Sequence, residues 1–360
     1  MKSSTENSGH RRKRKSWLGI VIRAGIGLSL AALLVFLTLQ QTGADLLGTL
    51  RNAPRGALAG VLFFFGAGLF LSMFRWAILL RTQNIHLPFR DVARLTMIGH
   101  FFNLVVPGAV GGDLIKMAYA ARRTPGKRTE AVFAVVLDRA LGLFGLFIVA
   151  AMMVLASLPV LLGLEGRFRT LQIAAFVVGM GSIAGIVGAI AIELRQRLLS
   201  HPWIAGVVDV GKRVLPGRMV ETIERLSESL ELIRQNRVQV GTALLLALLV
   251  HTSLALSLFT AGRAVGEAQL TFPDYLLTTQ VANAIAAIPI TPAGVGTRDA
   301  VIAMFFNAMG TPAAKAGVIP VLLTLALVGW GLAGAVVFIA SPAARHSTEA
   351  LDRSETGNLS

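Results

Sequence analysis

The stretch VPGAVGGDLIK at residues 106–116 interrupts an apolar part of the chain with one proline, three glycines and two charged residues. Proline removes a backbone donor and glycine weakens a helix, so an unbroken membrane-spanning helix would not tolerate this cluster well. Within hydrocarbon, each freed backbone group needs a partner from protein or water. The stretch is therefore either a surface loop or a helix break in the membrane, formed by Pro107, Gly108, Gly111 and Gly112.

The composition is that of a helical membrane protein. Of 360 residues, 54% are hydrophobic and only 15% are charged, whereas soluble proteins carry about 25% charged residues. Apolar runs of about 20 residues alternate with basic loops, which is typical of membrane-spanning helices. The net charge of +15 could suggest nucleic-acid binding. The basic residues, however, cluster at the ends of the apolar runs. This pattern is typical of the cytoplasmic loops of membrane proteins, favours contact with anionic lipid head groups, and argues against nucleic-acid binding.

The distribution of basic residues predicts the topology. Residues 1–16 form a basic cytoplasmic tail, and residues 17–343 form a single transmembrane domain with a cytoplasmic insert at 193–238. Residues 344–360 form a polar tail. The run 17–39 follows basic residues, as a signal peptide does, but it is long and lacks a clear cleavage site, which favours a retained anchor. The expected location is the bacterial cytoplasmic membrane, with both termini in the cytoplasm.

Two pairs of short apolar runs predict re-entrant hairpins. The runs 95–107 and 113–121 are too short to cross a membrane, and basic residues flank both of their outer ends. They are expected to enter from the cytoplasm and return to it. A second interrupted stretch, IPITPAGVGTRD at 288–299, contains the breaks Pro289, Pro292, Gly294 and Gly296. It is expected to form a hairpin that enters from outside.

The predicted fold is all-α, with about six full spans and two oppositely oriented hairpins. The order span, hairpin, span occurs at residues 56–156 and again at 239–340, starting from opposite sides. Inverted repeats of this kind bring interrupted helices together near the membrane midplane, where they build a substrate site.

Ionisable residues within the apolar segments are the candidate site residues. They form three acid–base pairs in the sequence: Asp113 with Lys116, Asp138 with Arg139, and Arg298 with Asp299. Charges at this depth are costly and usually face a cavity or a partner. One interpretation is a polar chamber in which Lys116, Arg139 and Arg298 hold a phosphate. The alternative is that the pairs only fix helix packing, with the aspartates as helix caps.

Other polar residues indicate a binding site less specifically. Asn283 could hydrogen-bond a head group, although contact between helices is the more common role. His100 and Asn103 are expected to face the first hairpin. Arg75 and Trp76, near the end of the run 56–80, resemble an interfacial anchor. The chain has no cysteine, and no catalytic residue, metal site or cofactor is predicted.

These motifs resemble the transmembrane region of lysylphosphatidylglycerol synthases and the related UPF0104-like membrane proteins, a flippase-like family. The resemblance covers about residues 17–340 and rests on PGAVGGDLIK at 107–116, the Asp138-Arg139 pair and PITPAGVGTRD at 289–299. Ala293 and Asp299 stand where the family usually has Gly and Glu. The family's soluble synthase half has no expected counterpart after residue 343.

The resemblance implies the movement of a phospholipid or a polyprenyl-linked lipid between leaflets, without catalysis. A secondary transporter of a small anion and a membrane-embedded lipid-linked glycosyltransferase are the alternatives. The expected partners are lipids with an anionic or phosphate-bearing head group. A homo-oligomer and a separate lipid-synthesising enzyme are further candidate partners.

Overall fold

Four long apolar helices form the body of the protein: Arg55–Thr82, Arg128–Ala156, Arg237–Ala264 and Ala313–Ile339. Each is long and apolar enough to cross a membrane. The computed structural model describes residues 36, 40, 46–105, 111–163, 169–199, 235–288 and 291–341, and the regular secondary structure in these ranges is helical. The prediction of an all-α membrane protein is confirmed. The predicted span 17–39 and both tails lie outside the described ranges.

The described helices are labelled in chain order. They are α1 Leu46–Asn52, α2 Arg55–Thr82, α3 Phe89–Val105, α4 Gly111–Arg123, α5 Arg128–Ala156, α6 Leu158–Leu162, α7 Arg169–Leu199, α8 Arg237–Ala264, α9 Phe272–Ala286, α10 Thr297–Ala308 and α11 Ala313–Ile339. A 3-10 turn, Pro292–Gly294, precedes α10. The described apolar part of α7 is Leu171–Val187.

Helix α3 begins at Phe89, earlier than the apolar run that starts at residue 95. Its polar first turn is held by Asp91, which contacts Arg94 at 3.4 Å and Arg123 of α4 at 2.6 Å. A carboxylate in the first turn also favours helix formation through the helix dipole. The length of the apolar run therefore underestimates the length of α3. A further short helix, α1, precedes α2.

The packing of the helices follows a repeated pattern. The helices form two sets of four, α2 to α5 and α8 to α11. Helix α2 packs along α8, its counterpart in the second set. Helix α3 packs on α11, and its counterpart α9 packs on α5. Within each set the two short helices contact each other, and the second of them contacts the following long helix, as α4 does with α5 and α10 with α11. Exchanging the two sets of helices leaves this list of neighbours unchanged.

Small residues bring α2 and α8 together. Gly60 lies opposite Thr260, whose methyl carbon would be 3.1 Å from an added Cβ. The hydroxyl of Ser257 donates to the carbonyl oxygen of Val61 at 2.8 Å. Small residues and interhelical hydrogen bonds of this kind are what stabilise helix pairs in a membrane, where burial of apolar surface gives little driving force.

Helices α2 and α8 also end in the same way. Each is followed by a residue in the left-handed region, Asn84 with φ 54° and Gly266 with φ 69°. The carbonyl oxygen of Asn84 accepts a hydrogen bond from Lys127 Nζ at 2.9 Å, and that of Gly266 accepts one from Lys315 Nζ at 2.9 Å. Each lysine lies where the next long helix begins, so both short helix pairs are closed at their base by an equivalent contact.

Candidate functional site

A cavity of about 370 Å³ lies where the two sets of helices meet. Helices α2, α3, α4, α5, α8, α9 and α11 and the 3-10 turn all contribute to its wall. Its ionisable acid and base side chains are Arg75, Asp113, Lys116, Asp138 and Arg139, and its neutral polar ones are Ser72, Thr96, His100, Asn103, His251 and Asn283. Five of the seven residues predicted to bind substrate therefore line one chamber.

The ion pairs in this cavity cross between helices. Lys116 of α4 lies 3.5 Å from Asp138 of α5, and Arg139 of α5 lies 3.3 Å from Asp113 of α4. The sequence suggested pairs between neighbours along the chain. The observed partners connect α4 to α5 instead, because the packing of these helices brings opposite charges face to face. The cavity charges thus also hold the second half of the hairpin against the next long helix.

Arg75 is a cavity residue, and its interpretation as an interfacial anchor is wrong. Its Nε donates to Asp138 Oδ1 at 2.7 Å, and its side chain is only 9% exposed. Trp76 is fully buried, and Lys116 Nζ lies 4.4 Å from its ring centroid. Arg75 lies about two turns before the end of α2, and α5 supplies a carboxylate there, so the guanidinium is paired within the protein. An added Cβ at Gly142 would lie 3.4 Å from both terminal nitrogens of Arg75.

The cavity has an excess of positive charge. Its described lining contains three cationic side chains and two carboxylates. Asp138 is shared by Arg75 and Lys116, while Asp113 contacts Arg139. Arg139 is the most accessible of the cations, with 41% of its side chain exposed. An anion can therefore bind here without displacing either carboxylate from its partner.

Two histidines and two amides complete the polar wall. A ring nitrogen of His100 lies 3.3 Å from the carbonyl oxygen of Leu327, and one of His251 lies 3.0 Å from that of Gly142. Since a carbonyl oxygen only accepts, each histidine donates there. His251 is not among the predicted site residues, although an ionisable residue inside an apolar segment is a recognisable signal. Asn283 brings an amide from the second short helix pair.

Arg298 and Asp299 lie outside this cavity and form a separate buried cluster with Thr324. Arg298 Nη2 donates to Thr324 Oγ1 at 2.7 Å, and that hydroxyl donates to Asp299 Oδ2 at 2.7 Å. The two side chains of the ion pair are 7% and 0% exposed. The cluster joins α10 to α11, as the cavity ion pairs join α4 to α5. Its charges are balanced and enclosed, unlike those of the cavity.

Comparison with known proteins identifies the family. The profile of the lysylphosphatidylglycerol synthase transmembrane region matches residues 20–341. The chain belongs to this family. A UPF0104 membrane protein of Pyrococcus horikoshii is 23% identical over 261 residues, which cover 67% of this chain and 74% of that protein. The resemblance inferred from the motifs is thus confirmed.

Where the structure describes the first interrupted stretch, close packing of the backbone explains its glycine residues. An added Cβ at Gly112 would overlap the carbonyl oxygen of Gly99, so only glycine allows α3 and α4 to come this close. Asn103 Oδ1 accepts a hydrogen bond from the Gly112 N–H at 2.8 Å and so caps α4. Gly111 begins α4. Pro107 and Gly108 lie outside the described residues.

The second break turns through left-handed backbone. Gly294 and Gly296 have φ of 71° and 83°, and Ala293 has φ 49° although the family usually has glycine there. Pro292 begins the 3-10 turn, while Pro289 lies outside the described residues. Asp299 Oδ2 accepts from the N–H of Gly296 at 3.1 Å, which confirms the predicted capping role of Asp299 for α10. For Asp113 the described partner is Arg139 instead.

Proposed function

We propose that this protein moves a lipid with an anionic, phosphate-bearing head group between the leaflets of the bacterial cytoplasmic membrane. The lipid is a phospholipid or a polyprenyl-linked lipid. The observation that carries the proposal is the unbalanced positive charge of a cavity to which both pairs of short helices contribute. An isolated charge at this depth is costly, so an excess cation facing a cavity points to an anionic ligand.

The wall of the cavity suits an amphipathic substrate. Arg139 is accessible and can make paired hydrogen bonds to phosphate oxygens. Leucine and valine side chains lie beside the charged residues, including Leu69, Leu143 and Val250. A phosphate can thus occupy the polar side while the first carbons of the lipid contact the apolar side. The acyl or prenyl chains remain in the bilayer.

The mirrored packing supports a transport mechanism. The contacts among α2 to α5 and α8 to α11 are preserved when these two sets of helices are exchanged, and both sets close with the same lysine contact. This pattern is expected of an inverted repeat with two re-entrant hairpins. Inverted repeats commonly alternate access by moving one bundle against the other around a site near the midplane. In this proposal the termini are cytoplasmic and the chain carries out no catalysis.

A small-anion transporter is the second candidate, because the excess charge would also attract a soluble phosphate. Leu69, Leu143, Leu146, Val250 and Leu327 in the wall favour the lipid, since a hydrated ion gains nothing from apolar contact. A lipid-linked glycosyltransferase is the third candidate, and product formation from a lipid-linked donor by the purified protein tests it. A homo-oligomer and a separate enzyme that makes the lipid are proposed partners.

Reconstitution into liposomes tests the proposal. Head-group translocation should be measured for phosphatidylglycerol, lysyl-phosphatidylglycerol, phosphatidylcholine and a polyprenyl phosphate, with empty liposomes as the reference. We expect movement of at least one lipid of net negative charge. We expect slower movement of lysyl-phosphatidylglycerol, since both described cavity carboxylates already have cationic partners. Translocation of none of these lipids, together with uptake of free phosphate, would favour the small-anion transporter.

Replacement of Arg139 by glutamine should reduce translocation of the anionic lipid about tenfold or more. The loss of one charge-assisted contact to a phosphate is worth roughly 1.5–3 kcal/mol. The cavity then holds two cations and two carboxylates, and Asp113 loses its described partner. Lys127→Gln is the matched control, because Lys127 contacts a backbone carbonyl outside the cavity. Equal rates for the two variants would contradict the assigned role of Arg139.

A further inference from the structure

A second cavity lies at the other end of α2 and is called here the Lys315 pocket. It has a volume of about 610 Å³ and is formed by α1, the turn before α2, the end of α8 and the start of α11. By helical rise, about 20 Å separates Pro54 of this pocket from Leu69 of the first cavity. The two cavities share none of their described lining residues. The charge pattern predicts that this end of the molecule is the outer one.

The described lining of the Lys315 pocket contains two cations, Arg263 and Lys315, and no carboxylate. Arg263 Nη1 donates to the carbonyl oxygen of Glu267 at 2.9 Å, and Lys315 Nζ donates to that of Gly266 at 2.9 Å. A carbonyl oxygen carries no net charge, and each contact uses one of several donor hydrogens. The contacts therefore orient the two cations without neutralising them.

The described acidic residues nearest to Arg263 in the chain are occupied elsewhere. Glu267 is 3% exposed, and its Oε1 accepts from the N–H of Gln269 at 2.8 Å. Asp274 Oδ2 accepts from both the N–H and the hydroxyl of Thr271, at 2.8 and 2.7 Å. Both carboxylates thus stabilise the turn between α8 and α9. Neither lies within ion-pair distance of Arg263 or Lys315 among the described salt bridges.

The starts of two long helices add to the positive field of the pocket. Helices α2 and α11 begin after Pro54 and Pro312, and neither has a capping side chain or an acidic residue in its first turn. Their free N–H groups and dipoles carry partial positive charge. Pro54 and Ala314 both belong to the pocket wall. The two cations and the N-termini of the two helices therefore all favour a negative charge in the pocket.

The equivalent position at the opposite end of the molecule differs in charge. There a smaller pocket is lined by Arg123 and Lys127, and Lys127 makes the contact that corresponds to that of Lys315. Arg123, however, lies 2.6 Å from Asp91, which neutralises it. Within the part of the chain that the structure describes, the uncompensated pair of cations is thus a property of the Lys315 pocket, not of the repeated turn.

We propose that the Lys315 pocket binds an anion of the phosphate class, either free or as part of a lipid head group. The proposal does not depend on the transport function of the first cavity. Phosphate oxygens would receive the remaining hydrogens of Arg263 and Lys315. Replacing both cations by glutamine should weaken binding at least about tenfold, since each charged contact is worth more than one factor of ten.

The test uses delipidated full-length protein in a neutral detergent, with Arg139→Gln as the background to weaken binding in the first cavity. Native mass spectrometry measures binding of phosphatidylglycerol, and calorimetric titration measures binding of inorganic phosphate. Adding Arg263→Gln and Lys315→Gln should weaken binding of at least one probe at least about tenfold, and Lys315→Arg should retain it. Binding of the lipid alone identifies a head-group site, and binding of inorganic phosphate identifies a site for the free anion.

Lys127→Gln in the same background is the structural control. It removes the same lysine–carbonyl contact at the other end and should lower the melting temperature about as much as Lys315→Gln. Anion binding should be unchanged in this control. The proposal is overturned if the Arg263→Gln, Lys315→Gln protein binds both probes as strongly as the background, or if Lys127→Gln weakens binding equally.

Discussion

Asp138→Asn should destabilise the folded protein by about 3–5 kcal/mol, the usual cost of removing one partner from a buried ion pair. Asp138 is the common partner of Arg75 and Lys116, at 2.7 and 3.5 Å, and all three side chains are only 9% exposed. Asparagine keeps the shape but leaves two buried cations without a described ion-pair partner within 4 Å. The melting temperature in detergent and the yield of monodisperse protein measure the effect.

Asp113→Asn is the matched control for this prediction. The substitution is chemically identical and lies in the same cavity, but its partner Arg139 is 41% exposed and can be hydrated when the carboxylate is lost. An ion pair of this exposure contributes about 1 kcal/mol or less. A second test combines Asp138→Asn with Arg75→Gln, which removes one of the two orphaned cations and should recover part of the stability. Equal melting temperatures for Asp138→Asn and Asp113→Asn would contradict the structural role of Asp138.

The long helices could be predicted from the sequence because apolar length directly reports a membrane span. The helix Arg55–Thr82 begins and ends within two residues of the predicted run 56–80. The start of the short helix α3 could not be predicted from apolar length. Its first turn is polar, and its stability there depends on the contact between Asp91 and Arg123 of another helix. Hydropathy carries no information about such a contact.

The composition of the cavity could be predicted in part. Asp113, Lys116, Asp138 and Arg139 were recognisable because charge within an apolar segment requires a partner or a cavity. Their pairing was not recognisable, since it depends on how α4 and α5 face each other. Arg75 was misassigned for a related reason. Its distance from the end of α2 permits snorkelling, and only the position of Asp138 shows that the guanidinium is paired inside the protein.

The placement of Arg298 shows a further limit of motif reasoning. The two interrupted stretches each combine proline and glycine with one acidic and one basic residue, which predicts equal roles for Lys116 and Arg298. Asp113 and Asp138 are 25 residues apart, as are Asp299 and Thr324. The second set thus has a hydroxyl where the first has a carboxylate. The first set leaves accessible charge in a cavity, whereas the second encloses a balanced cluster.

Arg298→Ala should therefore destabilise the fold by about 3–5 kcal/mol rather than selectively impair transport. It removes the cation 3.2 Å from Asp299, whose side chain is fully buried. Asp299 would keep its contacts with the N–H of Gly296 and the hydroxyl of Thr324, but its negative charge would have no described counter-charge. The melting temperature of the purified variant, compared with that of Arg139→Gln, measures this difference.

A double substitution separates an orphaned charge from a lost substrate contact. Arg298→Met with Asp299→Asn removes both charges, fills a similar volume and keeps an oxygen that can accept from the N–H of Gly296. Neutral replacements of buried ion pairs often retain or increase stability, so this protein should melt well above Arg298→Ala. It should also translocate lipid, because neither residue lines the cavity. If instead Arg298→Ala folds like the unsubstituted protein while translocation is lost in both variants, Arg298 contacts the substrate and the cluster is not primarily structural.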